Sequence, residues 1–293
     1  MLSITTLITL ILTSISVLLF IIMMFKGQKY DYMLENLEDK TFQLKELYSV
    51  GFAWSDLIPK LSYESELSEK LKQSIVLLYG ERYLEYYTRL YLAKSITFAH
   101  FIITAVAIIG CLMQDVTGLF IFVVGVVAGY MIGKTYINEP KQNVQARADE
   151  CIMEFPNLVT KLALLLNSGI TLREAWFLAA ETTQGPLSDL MQDSCELMRN
   201  GKSDYDAIYS FGVKSGSNEI RKFSVSITQS LEKGNSELAE AMMQQSNELW
   251  DIKKQRLLQK GEQAATKLVI PTTLMFVGVI LVVLSSALTG MSF

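Results

Sequence analysis

The stretch MEFPNLVTKLALLLNSGITLREAW, residues 153–176, decides how the rest of the chain is read. Leu158, Leu162, Leu165 and Leu166 recur at the three-and-four spacing that places them on one helical face. Asn-Ser-Gly stops that pattern at Gly169, and Thr171 stands where the N-cap of a second helix belongs. The stretch is therefore an amphipathic helical hairpin, with Pro156 expected to bend its first helix. It lies in a chain of 293 residues of which 50% are hydrophobic.

The same turn chemistry returns twice. LLNSGITLREA, LMRNGKSDYDA and SLEKGNSELAE share the order Leu/Met-x-x-Gly-x-Ser/Thr, which pairs Gly169 with Thr171, Gly201 with Ser203 and Gly234 with Ser236. A glycine adopts the left-handed conformation that ends a helix, and a hydroxyl two residues later can cap the amides of the next. Gln184-Gly185-Pro186 and the segment 214–218 supply turn residues between these points. The pattern predicts an antiparallel six-helix bundle of three helical-hairpin repeats over residues 138–267. Apolar rows such as Phe223, Ile227 and Leu231, or Leu238, Met242, Leu249 and Ile252, would form its core.

Outward from this segment the composition changes to lipid-like. Residues 2–25, 96–113, 116–133 and 268–288 are runs long and apolar enough to cross a bilayer core of about 30 Å, broken only by His100 near the start of the second. The first run has no basic leader and no small-residue cleavage site before Lys26, so it reads as a span and not as a cleaved signal. All 26 Lys and Arg residues fall within 26–94 or 134–267. By the positive-inside rule both termini and the 114–117 turn lie outside, and the two charged segments lie in the cytoplasm. The fold class is thus an all-α membrane protein with four transmembrane helices. Its divisions are helix 1 (1–25), a cytoplasmic helical segment (26–95), a transmembrane hairpin (96–137), the cytoplasmic bundle (138–267), and helix 4 with a short outer tail (268–293). Gly125, Gly129 and Gly133 form a small-residue stripe that lets another helix approach the third span. The tyrosines at 79, 83, 86, 87 and 91 read as packing and interfacial anchors.

Catalytic chemistry is poorly supported. The single histidine, His100, sits at the edge of a membrane helix, which leaves no Ser-His-Asp or Cys-His arrangement. Intramembrane aspartyl proteolysis would need two carboxylates at membrane depth, and Asp115 is the only acid near a span. AGYMIGKT, residues 128–135, imitates a phosphate-binding loop but ends a membrane helix, where Lys134 reads as a snorkelling anchor. Cys111, Cys151 and Cys195 have no metal-ligand spacing and are expected to remain thiols. A net charge of −4 with mixed signs argues against a nucleic-acid surface. No catalytic residue, metal or cofactor is expected.

The pieces EFPNLVTKLALLLNSGITLREAW, GPLSDL, LMRNGKSDYDAI, ITQSLEKGNSELAEAM and EQAATKLVIPTTLMF, in that order and followed by a terminal span with Pro271 near its start, resemble the type II secretion system F (GspF-like) family of inner-membrane platform proteins. One helical domain, with a membrane hairpin before it and one span after it, is similar to the tight-adherence (Tad) pilus branch, TadC-like rather than TadB-like. The resemblance implies a non-enzymatic platform in the bacterial inner membrane that couples a cytoplasmic secretion ATPase to pilin extraction and assembly. Its implied partners are that ATPase, pilin subunits, membrane lipid, and a second homologous platform protein or further copies of itself. Counting helix direction from the third span puts all three glycine turns at the membrane-distal end, so Arg173, Glu174, Arg199, Lys202 and Lys233 become the candidate ATPase-docking residues. A transport or channel subunit, or a signalling protein using the bundle as a receiver, stays open as an alternative.

Overall fold

In the computed structural model, residues 4–35, 37, 42–58, 63–113, 116–230 and 235–290 are described. Ten α-helices and three short 3-10 turns occur among them, and no strand. The chain divides into two compact units, Met1–Arg147 and Ala148–Phe293. The unit boundary falls inside one helix, and the expected divisions at 137/138 and 267/268 also lie inside continuous helices. Among the described residues four helices are long and apolar enough to cross a membrane.

The amino-terminal unit contains α1 (Ile4–Gly27), α2 (Tyr48–Leu57), α3 (Glu66–Tyr79), α4 (Leu84–Leu112) and the first part of α5 (Val116–Asn167). Between apolar helices packing supplies the attraction, so close approach and interhelical hydrogen bonds decide the pairing. On α1 the residues turned inward are Thr9, Thr13, Ser16, Met23 and Gly27, a stripe at helical spacing that is small or hydroxylated at every position but Met23. Thr13 Oγ1 donates to the Ala107 carbonyl at 3.2 Å, and Ser16 meets Thr104 at 2.9 Å. The other side of α4 faces α5, where a Cβ on Gly129 would stand 2.7 Å from the Ala99 carbonyl and one on Gly125 2.9 Å from Val106. Ser95 Oγ adds a 2.8 Å bond to the Gly133 carbonyl. Gly125, Gly129 and Gly133 thus line the contact of α5 with α4 within the same chain.

Helix α2 is the least expected element, because its sequence YSVGFAWSDL lies inside a segment read as cytoplasmic. It is wedged against both α1 and α4. A Cβ on Gly27 would stand 1.9 Å from the Ser49 carbonyl, and one on Gly51 2.0 Å from the Ala93 carbonyl. Tyr48, Val50, Phe52 and Ala53 are buried. In the same unit Lys94, only 5% exposed, is held by both carboxylate oxygens of Glu139 at 2.7 and 2.8 Å and packs against the rings of Phe42, Tyr91 and Tyr136. A buried ammonium is tolerated only when paired in this way.

The carboxy-terminal unit contains the end of α5 with α6 (Leu172–Thr182), α7 (Pro186–Arg199), α8 (Asp204–Lys214), α9 (Asn218–Ser230) and α10 (Asn235–Gly290). All six helical stretches feed one apolar core. Trp176 is fully buried at its centre, donating its indole N–H to Ser194 Oγ at 2.7 Å and meeting Phe211 edge-on. Phe155 meets Phe223 edge-on, and Thr160 bonds Ser246 at 2.6 Å, tying α5 to α9 and α10. Helix α5 continues through Pro140 and Pro156, and α10 continues through Pro271. From Leu268 to Ile280 the large apolar residues described on α10 are exposed, as a surface made for lipid would be.

The α2 wedge makes a sharp prediction. Gly51→Ala places a methyl against a backbone carbonyl that cannot step aside, so it should destabilise the full-length protein in detergent by at least the roughly 1–3 kcal/mol of an overpacked core. Gly261→Ala on α10, where nothing stands within 4 Å, should leave the melting temperature unchanged or slightly raised. Equal melting temperatures for Gly51→Ala and the parent would contradict the packing.

Candidate functional site

Two of the three glycine turns are described, and their geometry is alike. Gly169 has φ +90° and Gly201 φ +86°. After α7 the Lys202 amide donates to the Leu197 carbonyl at 3.0 Å and the Gly201 amide to the Met198 carbonyl at 3.2 Å, the paired bonds that close a helix on a left-handed residue. After α5 the Gly169 amide likewise donates to the Leu166 carbonyl at 3.0 Å. Thr171 caps α6 by accepting the Glu174 amide at 3.3 Å, and Ser203 caps α8 by accepting the Asp206 amide at 3.0 Å. Gly234 and Lys233 lie outside the described residues, and Ser236 is the second residue of α10.

Arg173 brings the two turns together. Its guanidinium donates to Asp204 Oδ1 at 2.6 Å and to the Met198 carbonyl at 2.9 Å, so one side chain from the start of α6 holds the end of α7 and the start of α8. Arg199 lies over the Phe177 ring at 5.2 Å. Glu174 and Lys202 are exposed, Glu174 in the first turn of α6, where a helix N-terminus favours an acid. The arrangement offers a polar, mixed-charge surface around a rigid pair of turns. The Arg173–Asp204 pairing spans 31 residues, and no local pattern could have revealed it.

At the opposite ends of these helices, Gly185 (φ +71°) precedes Pro186 as the first residue of α7, and Gly216 (φ +70°) precedes Ser217, whose hydroxyl caps α9 through the Ile220 amide. Here Arg256 of α10 reaches Asp149 of α5 and, at 2.8 Å, Glu219 of α9. Burial by itself would raise the Glu219 carboxyl. Its own backbone N–H, the Ser217 hydroxyl and the Arg256 charge outweigh that and hold it below the ordinary carboxylate range.

The remaining residues singled out by sequence are placed as follows. Residues 128–135 are helical throughout, with Thr135 Oγ1 bonded to the Met131 carbonyl at 3.0 Å, so no phosphate loop forms there. His100 accepts the Trp54 indole N–H on Nδ1 at 3.1 Å. Cys195 is buried, and burial pushes its thiol up. Among the described residues no group of three or more His, Cys, Asp or Glu side chains is disposed to hold a metal ion.

Residues 158–285 match the family description "Type II secretion system (T2SS), protein F". The match takes in the end of α5, all of α6 to α9 and most of α10, which includes both described glycine turns and most of the last apolar run. The chain therefore carries a type II secretion F-type domain, and joins it to helices long and apolar enough to cross a membrane. No curated protein and no solved structure matches the chain.

Two measurements check this geometry. Gly201→Val forces a β-branched side chain into a left-handed position and should cost about 1 kcal/mol or more, lowering the thermal midpoint of the full-length protein, whereas Gly201→Asn should cost less. For Glu219 the folded pKa is depressed, so its contribution is complete above about pH 5 and is lost as pH falls through the lower folded value. Glu219→Gln should therefore flatten the acid limb of stability against pH, and an unchanged acid limb would contradict the network.

Proposed function

We propose that this protein is a non-enzymatic inner-membrane platform of a type II secretion or type IV pilus machine, of the tight-adherence, TadC-like kind. In this reading residues 138–267 form an antiparallel six-helix bundle in the cytoplasm, both termini lie outside, and the bundle couples a secretion ATPase to the extraction and assembly of pilin, acting with a homologous platform protein or with its own copies. The observation that supports it best is the F-type match over 158–285, a helical unit whose last helix runs directly into an apolar segment. A helix that continues from a polar into an apolar half can pass a displacement from one end to the other, with Pro271, which lacks an amide N–H, as the point where α10 bends most easily.

The ATPase is assigned to the glycine-turn end, where Arg199, Lys202 and Glu174 surround the Arg173 clasp. Arg173 itself is excluded from the test, since its loss would also remove the contacts that tie α6 to the α7–α8 turn. Reversing Arg199, Lys202 and Lys233 together to Glu should lower co-purification with the ATPase about tenfold, equivalent to about 1.4 kcal/mol, and abolish pilus assembly while the thermal midpoint is kept. Normal assembly in that variant, with failure when the 214–218 turn is altered, would move the contact to the opposite end and sink this assignment.

A further inference from the structure

The geometry points to α2 as a fifth membrane-embedded element, a short wedge sunk into the leaflet from which α1 and α4 emerge, with phospholipid acyl chains covering its outer face. The inference rests on α1 and α4 being membrane spans, and it places part of the 26–95 segment in lipid.

The depth follows from counting along the helices that α2 touches. The Trp54 ring packs with Phe20 and Met24 of α1 around buried Met23, Val50 and Ala53. Its indole N–H reaches His100 Nδ1 at 3.1 Å, and its ring meets the imidazole edge-on at 5.7 Å. Phe20 lies six residues inward of Lys26, and His100 six residues inward of Lys94, the nearest charged residue on each helix. At 1.5 Å per residue both positions are about 9 Å below the charged boundary. The α1 residues of this cluster, Phe20, Met23 and Met24, lie about 3–9 Å inward of Lys26 and His100 lies at the deep end of that range, so both helices place Trp54 inside the charged boundary.

The polar groups of α2 suit that depth, because hydrocarbon requires every donor to be met within the protein. The Gly51 amide donates to Thr97 Oγ1 at 3.0 Å, a partner supplied from α4. Ser55 Oγ donates to the Phe52 carbonyl at 2.8 Å. The one charge on α2, Asp56, is neutralised by Lys29 at 2.6 Å and by the Tyr30 hydroxyl at 2.8 Å. Leu57 continues the row of Val50, Ala53 and Trp54 at helical spacing, yet is 52% exposed. The face of Val50, Ala53, Trp54 and Leu57 starts between two spans and emerges beside the exposed Asp56–Lys29 pair, so it meets the acyl chains just below the headgroups.

The test uses the full chain in phosphatidylcholine vesicles. A Trp176→Phe, Trp250→Phe variant leaves Trp54 as the sole emitter. Acyl chains brominated near the headgroup should remove most of its emission, and aqueous iodide should remove little. A control carries Phe101→Trp with Trp54→Phe, Trp176→Phe and Trp250→Phe, one residue from His100 in α4. Quenching of the control by brominated lipid without quenching of Trp54 would overturn the wedge alone. If neither responds, the span reading fails and the wedge falls with it. Because Trp176 is a core residue, a nitroxide on Leu57→Cys with Cys111→Ser gives a second readout in otherwise intact protein. It should be accessible to dissolved oxygen and shielded from a water-soluble nickel chelate. Access to nickel, or shielding from both relaxants, would overturn lipid as the covering partner.

Discussion

A peptide group that enters hydrocarbon must find its hydrogen-bond partner within the protein, and that constraint organises both units. It explains why each long apolar run is helical from end to end. Helices α5 and α10 also pass without a break from charged sequence into apolar sequence, so their amides are bonded along the helix before they reach the apolar run. Side chains there make short polar contacts, hydroxyl to carbonyl or hydroxyl to hydroxyl, of the kind seen between α1 and α4.

Where water no longer drives association, the distance between backbones does. In the amino-terminal unit the approach of α2 to α1 and α4 leaves room for hydrogen alone at Gly27 and Gly51. The gain from such contact is dispersion over many atoms, which fades steeply with a small increase in gap. The carboxy-terminal unit uses the opposite strategy: large buried side chains, Trp176, Phe155 and Phe211 among them, fill a core closed by glycine turns. Its rims are set by two arginines. Arg173 clasps the turns that follow α5 and α7, and Arg256 gathers α5, α9 and α10 elsewhere along the helices. Exposed ion pairs add little stability, but a guanidinium that also takes a backbone carbonyl fixes orientation.

A platform protein of the proposed kind has no chemistry to perform, so its demands are mechanical. Rigid turns at one end, a continuous helix into the apolar run and a tightly packed core would serve that demand together. A wedge between two spans would add a lever where the helices leave the bilayer. Each of these is a matter of stiffness and placement, and none needs a cofactor or a perturbed catalytic group.

What the sequence determined by itself was the set of properties carried by neighbouring residues. The apolar runs are legible because a span is a one-dimensional property of length and hydropathy. The ends of α5 and α7 are legible because Asn-Ser-Gly and Arg-Asn-Gly terminate a helix by local backbone chemistry, and Thr171 and Ser203 restart one in the same way. The core rows of α5 and α9 are legible because helical period alone selects a face. Tertiary structure decided everything that joins distant residues: Gly51 against Ala93, Trp54 on His100, Lys94 on Glu139, Arg173 on Asp204, Arg256 between Asp149 and Glu219. In each pair the partners are separated by tens of residues, and their side chains are common surface or interfacial types with no pattern of their own. Which of many lysines meets which acid, and which glycine meets a carbonyl, follows only from how whole helices pack, since packing energy belongs to the sum of contacts and not to any local string of residues.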